Sequence, residues 1–435
     1  MNSWFTLSRK HIAMGRGTLN STNSSLYRYF SYFVWLLAAA TLALTLSIPR
    51  GISYPTLCLF FLAIIFSIVF IKRSLSLTRQ DALLIIVFAL YGLSSIGFVY
   101  LDGWHVRELD RPSRFLLVLP VLILLLKSKM PNVPILFYGS ILGAIAAALL
   151  AAHEVFVLGL PRAQVYSNAI MFGDTSMLLG LLNAVACFYF YHNKQKLMVY
   201  LAALAFCCGV LGSILSGSRG GWIAVPLIGL FILIQAKDLI GKKQLISILM
   251  ALSVAAVAAI AIPQTGMQTR IAKAYEDIEL YQQGKTFTSV GLRFEMWKGA
   301  FYLFSQAPIL GVGEYGSKPL KADLARKGLM SKAATRFDHL HNEFFNTLAI
   351  KGLLGLVFLI ALYLVPLKLF LSKLRQHHSN WNIKAYALCG ALVPMSYMDF
   401  ALTQSMFSHN IGIMVFIFFI VFFWCAVRWA EELNK

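Results

Sequence analysis

The sequence has few charged residues and many hydrophobic ones. Asp, Glu, Lys and Arg together make up 13% of the chain, and hydrophobic residues make up 59%. A soluble domain has about 25% charged residues, so most of this chain is not suited to water. Acidic residues are the scarcer kind, with 18 Asp and Glu against 38 Lys and Arg. The composition excludes a soluble globular fold and indicates a membrane protein.

Signatures of several other protein classes are missing. The six cysteines all fall within apolar runs, where they behave as small hydrophobic side chains, so they indicate neither a disulfide framework nor a metal cage. No paired carboxylates, nucleotide-binding glycine pattern or nucleophile elbow stands out. Glycosidase, kinase and serine hydrolase functions therefore have no support, and no nucleotide is expected as a partner.

The apolar residues are grouped in runs of about 20, the length that a helix needs to cross a hydrocarbon core of about 30 Å. Transmembrane strands would need an alternating pattern instead, and none is visible. We therefore predict an all-α integral membrane protein with about 12 transmembrane helices. Their predicted residues are 30–48, 52–71, 82–101, 115–126, 134–158, 168–191, 197–215, 221–236, 244–262, 344–367, 385–400 and 409–427.

Basic residues predict the orientation of these helices. With the N-terminus inside, every gap on the cytoplasmic side carries at least two lysines or arginines, so the alternation holds from end to end. The tails 1–29 and 428–435 are then both cytoplasmic, and the first is predicted to be uncleaved. The net charge of +20 is mostly topogenic and would lie against membrane lipids, so it does not require nucleic acid.

One segment, 263–343, breaks the pattern. It separates nine predicted helices in 30–262 from three in 344–427, and it is too long for an ordinary connection. Apolar residues at helical spacing occur in 268–283, and a second stripe of aromatic residues runs from 294 to 304. We predict a large periplasmic loop that contains amphipathic helices.

The end of this loop concentrates groups that could carry chemistry. Histidine is the side chain best able to transfer a proton near neutral pH, so His341, at the start of a helix at the membrane edge, is a candidate general base. The helix dipole would lower its pKa and favour the neutral form. The alternatives are an ordinary interfacial polar segment or a metal site. The possible metal ligands are Asp338, His339, His341 and Glu343.

Three arginines lie on the same predicted side as His341. Arg219 is the one charge in a turn of small residues, Arg270 starts the first loop helix and Arg293 starts the second. An arginine fork is suited to bidentate recognition of phosphate. For Arg219, snorkelling towards the lipid headgroups is an equally good alternative. Together the three suggest a charged donor, most simply a pyrophosphate.

Three short motifs, in this order around the single large loop, are similar to those of a known family. They are the Ser-Gly-Ser-Arg-Gly-Gly turn around Arg219, the Gly-Leu-Arg sequence at Arg293 followed by Pro308-Ile-Leu-Gly-Val-Gly, and the His-Leu-His-Asn-Glu sequence at His341. Ten residues separate His341 from Gly352, which matches the His-x10-Gly pattern of ligases. The chain therefore resembles the O-antigen ligases, bacterial inner-membrane enzymes of the O-antigen ligase and polymerase superfamily.

The resemblance implies a GT-C-like glycosyltransferase architecture and a specific reaction. An O-antigen glycan would be transferred from undecaprenyl pyrophosphate to a sugar hydroxyl of lipid A–core, with inversion and without metal or cofactor. The reaction would take place at the periplasmic face of the Gram-negative inner membrane. His341 would be the base that activates the hydroxyl, and Arg219 and Arg293 would bind the pyrophosphate and stabilise its charge.

Three further residues are implied as substrate-binding residues, namely Arg270, His339 and Asp399. Asp399 lies at the outer end of the eleventh predicted helix, and an ionisable residue at membrane depth is a functional candidate by default. A salt bridge to a neighbouring helix is an equally good interpretation of this acid.

Two other functions remain open from the sequence. A polysaccharide polymerase would use the same donor chemistry but a lipid-linked glycan as acceptor. A transporter of lipid-linked glycans predicts inverted repeats and charges near the middle of the membrane. We find no convincing repeat, and the charge is concentrated in one loop instead, so the transporter is the weaker alternative.

Overall fold

The computed structural model describes residues 25–69, 76–218, 220–248, 250, 261 and 267–434. Within these ranges the chain is helical, without a β-strand, as the sequence predicted. Six of the described helices are long and apolar enough to cross a membrane, which supports a multi-pass membrane protein. The prediction of about 12 crossings stays a prediction.

In the described part of the chain, nine α-helical segments precede the large loop. They are α1 (25–44), α2 (Ser53–Val69), α3 (Arg79–Leu101), α4 (Asp110–Lys127), α5 (Ile135–Ala152), α6 (Ala169–His192), α7 (Lys196–Ser216), α8 (Val225–Ala236) and α9 (242–248). The loop contains α10 (Met267–Gln282), α11 (Ser289–Gln306) and α12 (Ser317–Arg326). The chain ends with α13 (Glu343–Gln376), α14 (Trp381–Phe400) and α15 (Asn410–Leu433).

Most predicted boundaries lie within a few residues of the observed ones, but the first helix is displaced towards the N-terminus. The apolar run predicted a helix over 30–48, whereas α1 covers 25–44. At the C-terminal end the last regular bond runs from the Thr45 N–H to the Thr41 carbonyl, and the Ser47 N–H then donates to Leu44, three residues back, so the chain turns out of the helix. The ninth predicted helix, 244–262, falls largely outside the described residues.

Three apolar helices, α6, α14 and α15, form the interior of the bundle. The most apolar windows of α6 and α15 are 83% and 89% buried within the protein, whereas those of α3 and α7 are 33% and 28% buried. The exposed apolar faces of the second pair are suited to lipid. Small residues let the α6 and α7 backbones approach closely, because a side chain at Gly180 would meet the backbone of Gly209 at 3.3 Å.

Polar contacts lie at two opposite ends of the bundle. At one end, where α3, α7 and α14 end and α4, α6, α13 and α15 begin, Arg111 of α4 forms an ion pair of 3.1 Å with Glu314 of the loop. At the other end, Lys373 of α13 forms an ion pair of 2.7 Å with Glu431 of α15. We call the first the loop end and the second the far end.

The large loop is ordered around a small apolar core of its own. Met296 and Leu303 of α11 pack there with Leu340 and Ala349. The buried carboxylate of Glu295 accepts hydrogen bonds from the Tyr281 hydroxyl and the Ser331 N–H, at 3.0 and 2.6 Å. The two helices predicted in this loop are confirmed as α10 and α11. Because the core contains Ala349 of α13, it also holds the loop against the rest of the bundle.

Helix α13 is interrupted at Gly352, which has φ +63° and ψ −163°. This combination is essentially restricted to glycine. The turn that follows α11 lies in the interruption. The N–H groups of Val312 and Gly313 donate to the carbonyl groups of Ala349 and Ile350, and those of Leu353 and Leu354 donate to Pro308 and Ile309. The break therefore fixes the loop onto α13 by backbone hydrogen bonds on both of its sides.

Candidate active site

His341 immediately precedes the cap of α13 and has a left-handed backbone conformation, with φ +48°. Such a conformation is uncommon for a residue with a side chain and costs of order 1 kcal/mol. Its neighbours hold it in place. The Asn342 side chain accepts a hydrogen bond from the Phe345 N–H at 2.9 Å and donates one to the Leu402 carbonyl at 2.9 Å. The helix cap thus also ties His341 to the turn after α14.

The backbone before His341 is fixed as firmly. The indole N–H of Trp297 donates to the Leu340 carbonyl at 3.2 Å, and the Leu340 N–H donates to the Asn346 side chain at 3.2 Å. Trp297 also packs against Phe345, with ring centroids 5.6 Å apart. Part of the aromatic stripe of α11 therefore positions the histidine segment by packing against α13.

Three histidine rings meet at the loop end. The His339 ring centroid lies 4.5 Å from that of His341 and 5.1 Å from that of His409, which precedes α15. The Gln404 amide lies beside two of the rings, because its Nε2 is 3.3 Å from His409 Nε2 and its side chain also interacts with His341. The Nδ1 atoms of His339 and His341 are buried, with no hydrogen-bond partner among the described residues.

The environment keeps these histidines neutral. Burial is the largest cause, and it lowers the pKa of His341 to about 4 and that of His339 to about 3. The Arg293 guanidinium lowers the pKa of His341 further, and His341 does the same for His339. Burial also lowers the pKa of His409. At neutral pH each ring can therefore accept a proton.

Arg293 connects the histidines to a buried carboxylate. It lies in the second turn of α11, whose first turn is capped by the Thr288 hydroxyl group. Its guanidinium acts electrostatically on His341 and also on Asp174 of α6. The structure therefore places Arg293 within electrostatic range of both side chains, one of which is an acid that the sequence argument did not single out.

Asp174 is fully buried near the start of α6. Its Oδ1 accepts a hydrogen bond of 3.0 Å from the Ser218 hydroxyl, and its Oδ2 is buried without a hydrogen-bond partner in the described part of the chain. A side chain added at Gly221 would lie 2.6 Å from Oδ1. The small residues Ser218 and Gly221 therefore let this turn lie against the carboxylate.

Asp399 belongs to the same end of the bundle. Its Oδ1 accepts a hydrogen bond of 3.0 Å from the Ala224 N–H, just before α8, and it acts electrostatically on Asp174. Its Oδ2 is buried and has no partner among the described residues. The sequence left a salt bridge as the alternative for Asp399, and the observed partner is a backbone N–H group instead.

Two of the predicted arginines lie wholly or partly outside the described residues. Arg219 lies outside the described residues. Its neighbours are placed: Ser218 donates to Asp174, and a side chain at Gly220 would collide with Thr403. Arg270 is in the first turn of α10, and its side chain also lies outside the described part.

The four possible metal ligands of the loop end do not converge. Asp338 is exposed, and the buried Glu343 carboxylate accepts a hydrogen bond of 2.8 Å from the Phe407 N–H. No group of three His, Cys, Asp or Glu side chains that could hold a metal ion occurs among the described residues. The acid of the His-Leu-His-Asn-Glu motif instead anchors α13 to the segment before α15.

Sequence reasoning missed three residues of this site, namely Asp174, Gln404 and His409. A signal existed for the first, because an acid inside a predicted transmembrane helix is a functional candidate by default, the argument that was applied to Asp399. Gln404 and His409 carried no such signal, since they lie in a short connection and are brought to His341 only by the packing of α13 against α14 and α15.

The fold and site define a multi-pass helical membrane protein with neutral histidines, an arginine and buried carboxylates clustered at one end. Comparison with known proteins shows what the chain is similar to. The sequence model described as O-antigen ligase matches residues 201–360, a segment that contains Arg219, Arg270, Arg293, His339 and His341. The resemblance predicted from the motifs is confirmed by this match, which supports a glycosyltransferase-like enzyme.

Two relatives extend the comparison. An uncharacterized protein of Haemophilus influenzae is 28% identical over 386 residues, covering 88% of this chain and 96% of that protein. The O-antigen ligase of Escherichia coli K12 is 26% identical over 192 residues, which covers 43% of this chain and 44% of that enzyme. The chain thus spans less than half of the ligase that it matches.

Proposed function

We propose that this protein is an O-antigen ligase. It transfers O-antigen polysaccharide from undecaprenyl pyrophosphate to a sugar hydroxyl of lipid A–core, at the periplasmic face of the Gram-negative inner membrane. The observation that carries the proposal is the electrostatic interaction of Arg293 with His341: a buried, neutral histidine in a strained backbone conformation lies within range of a cation suited to phosphate, in the segment that matches the ligase family.

The reaction needs one displacement at the anomeric carbon. The acceptor oxygen forms the new glycosidic bond while the bond from the anomeric carbon to the pyrophosphate oxygen breaks. His341 takes the proton of the acceptor hydroxyl, and undecaprenyl pyrophosphate leaves with the bonding electron pair. A single displacement inverts the anomeric configuration, and it needs no enzyme nucleophile and no second carboxylate.

Arg293 supports both halves of this displacement. Its guanidinium would bind the donor pyrophosphate and stabilise the charge that builds on it, together with Arg219 and Arg270. The same guanidinium lowers the pKa of His341 in the free protein. A bound pyrophosphate would offset this positive charge, so the pKa of His341 would rise towards neutrality when the donor is in place. The base therefore becomes stronger when a leaving group is present.

The two buried carboxylates position the cation. Asp174 interacts with both Ser218 and Arg293, so it holds the turn 217–221 and α11 relative to each other. Asp399 accepts a hydrogen bond from the Ala224 N–H and thereby fixes the segment that follows the same turn. In this role the acids keep the arginines at the loop end before the donor arrives.

The test is a reconstituted transfer with purified protein in detergent. Wild type, His341→Ala and the control His378→Ala, which removes an exposed histidine at the far end, are mixed with undecaprenyl-pyrophosphate-linked O-antigen and lipid A–core in EDTA. We expect a glycan-laddered lipid A–core from the wild type and from His378→Ala but not from His341→Ala.

Other outcomes would contradict parts of the proposal. A wild type that lengthens only the undecaprenyl-linked glycan is a polymerase. A ladder that appears only when EDTA is omitted contradicts the metal-independent mechanism. A His341→Ala variant that remains folded and keeps full activity removes the base role from His341.

A further inference from the structure

A polar cavity lies next to the segments that carry the histidines, since Glu343 and Ser408 line it. It has a volume of about 90 Å³ and is enclosed by α3, α4, α13, the turn after α11 and the segment before α15. Because each water takes about 30 Å³ of liquid volume, the cavity has room for roughly three water molecules, on the scale of one edge of a sugar ring. We call it the Arg111 cavity. None of the residues proposed above for the transfer lines it.

Both signs of charge are present in its wall. Four carboxylates and two cationic side chains line it, namely Asp102, Glu108, Glu314, Glu343, Arg111 and Lys351. Arg111 forms ion pairs with Glu108 and Glu314, while Lys351 donates a hydrogen bond of 3.0 Å to the Ser95 hydroxyl and lies 5.3 Å from the centre of the Tyr91 ring. Arg111 and Glu314 keep 25% and 33% of their side chains exposed, so these charges are accessible to a ligand.

The cavity is close to the proposed reaction centre. Arg111 acts electrostatically on His339 and His409, whereas Arg293 acts on His341 and Asp174. The two arginines therefore approach the histidines from different elements, α4 and α11. Glu343, two residues after His341, lines the Arg111 cavity itself.

We propose that the Arg111 cavity binds one edge of a sugar ring of the acceptor glycan, so that the acceptor hydroxyl is presented to the histidines. This inference rests on the proposed function for the identity of the acceptor. Sugar hydroxyl groups both donate and accept hydrogen bonds, so they pair with carboxylates and with arginine or lysine at the same time. The excess of carboxylates disfavours a phosphate group, and the polar wall disfavours a lipid tail.

Two variants test the cavity by different means. Ser95→Met places a larger apolar side chain in its wall without removing a charge, and Arg111→Lys keeps the charge but removes the planar fork. The matched controls are Ser94→Met, one position away on α3, and Arg107→Lys, on the exposed turn before α4; neither control residue lines the cavity. All four are compared with the wild type by thermal unfolding before use.

Two readouts separate this inference from the proposed function. The first is the transfer rate as a function of the concentration of each substrate. Loss of a hydrogen bond to a charged group, at about 1.5–3 kcal/mol, corresponds to a rise of at least tenfold in KM for lipid A–core. We expect that rise in Ser95→Met and Arg111→Lys, with KM for the donor and both controls within twofold of wild type. A rise in donor KM instead overturns the inference.

The second readout is binding of delipidated core oligosaccharide to the protein without donor, followed by microscale thermophoresis. If the wild type transfers nothing, the proposed function fails, but weaker binding by Ser95→Met and Arg111→Lys still supports the cavity as a sugar site. Equal binding by wild type and variants, no binding by the wild type, or displacement of the sugar by inorganic pyrophosphate overturns it.

Discussion

The N–H of Leu353 donates a hydrogen bond of 2.8 Å to the carbonyl of Pro308, across the interruption of α13. The interruption depends on Gly352, and the first segment of α13 begins just after His341. The ten residues between His341 and Gly352 are therefore the length of one short helix that links the candidate base to the point where the loop is fixed. This gives a physical reason for the spacing that the family motif describes.

Replacing Gly352 should damage both stability and activity. In Gly352→Ala, the left-handed backbone becomes strained at a cost of about 1–3 kcal/mol, and the new methyl group would collide with the backbone of Ile309. We expect a lower unfolding temperature and a reduced transfer rate. The control is Gly229→Ala on α8, where nothing lies within 4 Å of the added methyl group. Equal unfolding temperatures for the two variants would contradict the role of Gly352.

The pH dependence of transfer should differ between the free and the donor-bound enzyme. In the free enzyme the pKa of His341 is lowered from 6.5 to about 4, by burial first and Arg293 second. Below its pKa the ring is protonated and cannot act as a base, so activity falls on the acid side. Bound pyrophosphate offsets Arg293 and raises this pKa.

The acid limb of kcat should therefore lie at higher pH than the acid limb of kcat/KM, which reports the free enzyme. The measurement is the initial transfer rate at saturating and at low donor concentration between pH 4 and about 8. Coincident limbs, or a kcat limb at lower pH, would contradict the coupling between donor and base.

Removing the charge of Asp174 should slow the reaction. Asp174→Asn keeps the shape but weakens the interactions with Ser218 and Arg293. At about 1.5–3 kcal/mol for a hydrogen bond to a charged group, kcat/KM should fall about 10- to 100-fold. Asp238→Asn, at an exposed position at the far end, is the control and should retain full activity. An active Asp174→Asn protein would assign this buried acid a structural role only.

The ion pairs at the far end should matter for stability and not for transfer. Lys373 and Glu431 are 2.7 Å apart, with only 8% and 14% of their side chains exposed. Glu431 also pairs with His377 and Arg428, at 2.7 and 3.4 Å, so Lys373→Met leaves part of its compensation in place. The variant should therefore lower the unfolding temperature, by less than the loss of about 3 kcal/mol that breaking an isolated buried pair causes. The double variant Lys373→Met/Glu431→Leu should recover much of the loss, and both should keep the wild-type KM values. A double variant as unstable as the single one would argue against pairing as the source of stability.

Much of the fold could be predicted from the sequence, because crossing a lipid bilayer imposes strict lengths. Runs of about 20 apolar residues lead to helices wherever backbone groups cannot reach water. Most observed helices therefore coincide with the predicted ones, and the periodicity of the loop predicted α10 and α11. The motif at His341 and the one at Arg293 could also be identified from the sequence, since each motif occupies a short continuous segment.

Composition and periodicity thus determined the all-helical membrane fold, and three short motifs carried the resemblance to the O-antigen ligases. Only the tertiary structure decided which polar residues meet. Asp174 and Ser218 are 44 positions apart, and Arg111 and Glu314 are 203 positions apart. Contacts of this range depend on how helices pack and where α13 is interrupted, and neither leaves a local pattern in the chain. For that reason Gln404, His409 and the Arg111 cavity became visible only in the folded protein.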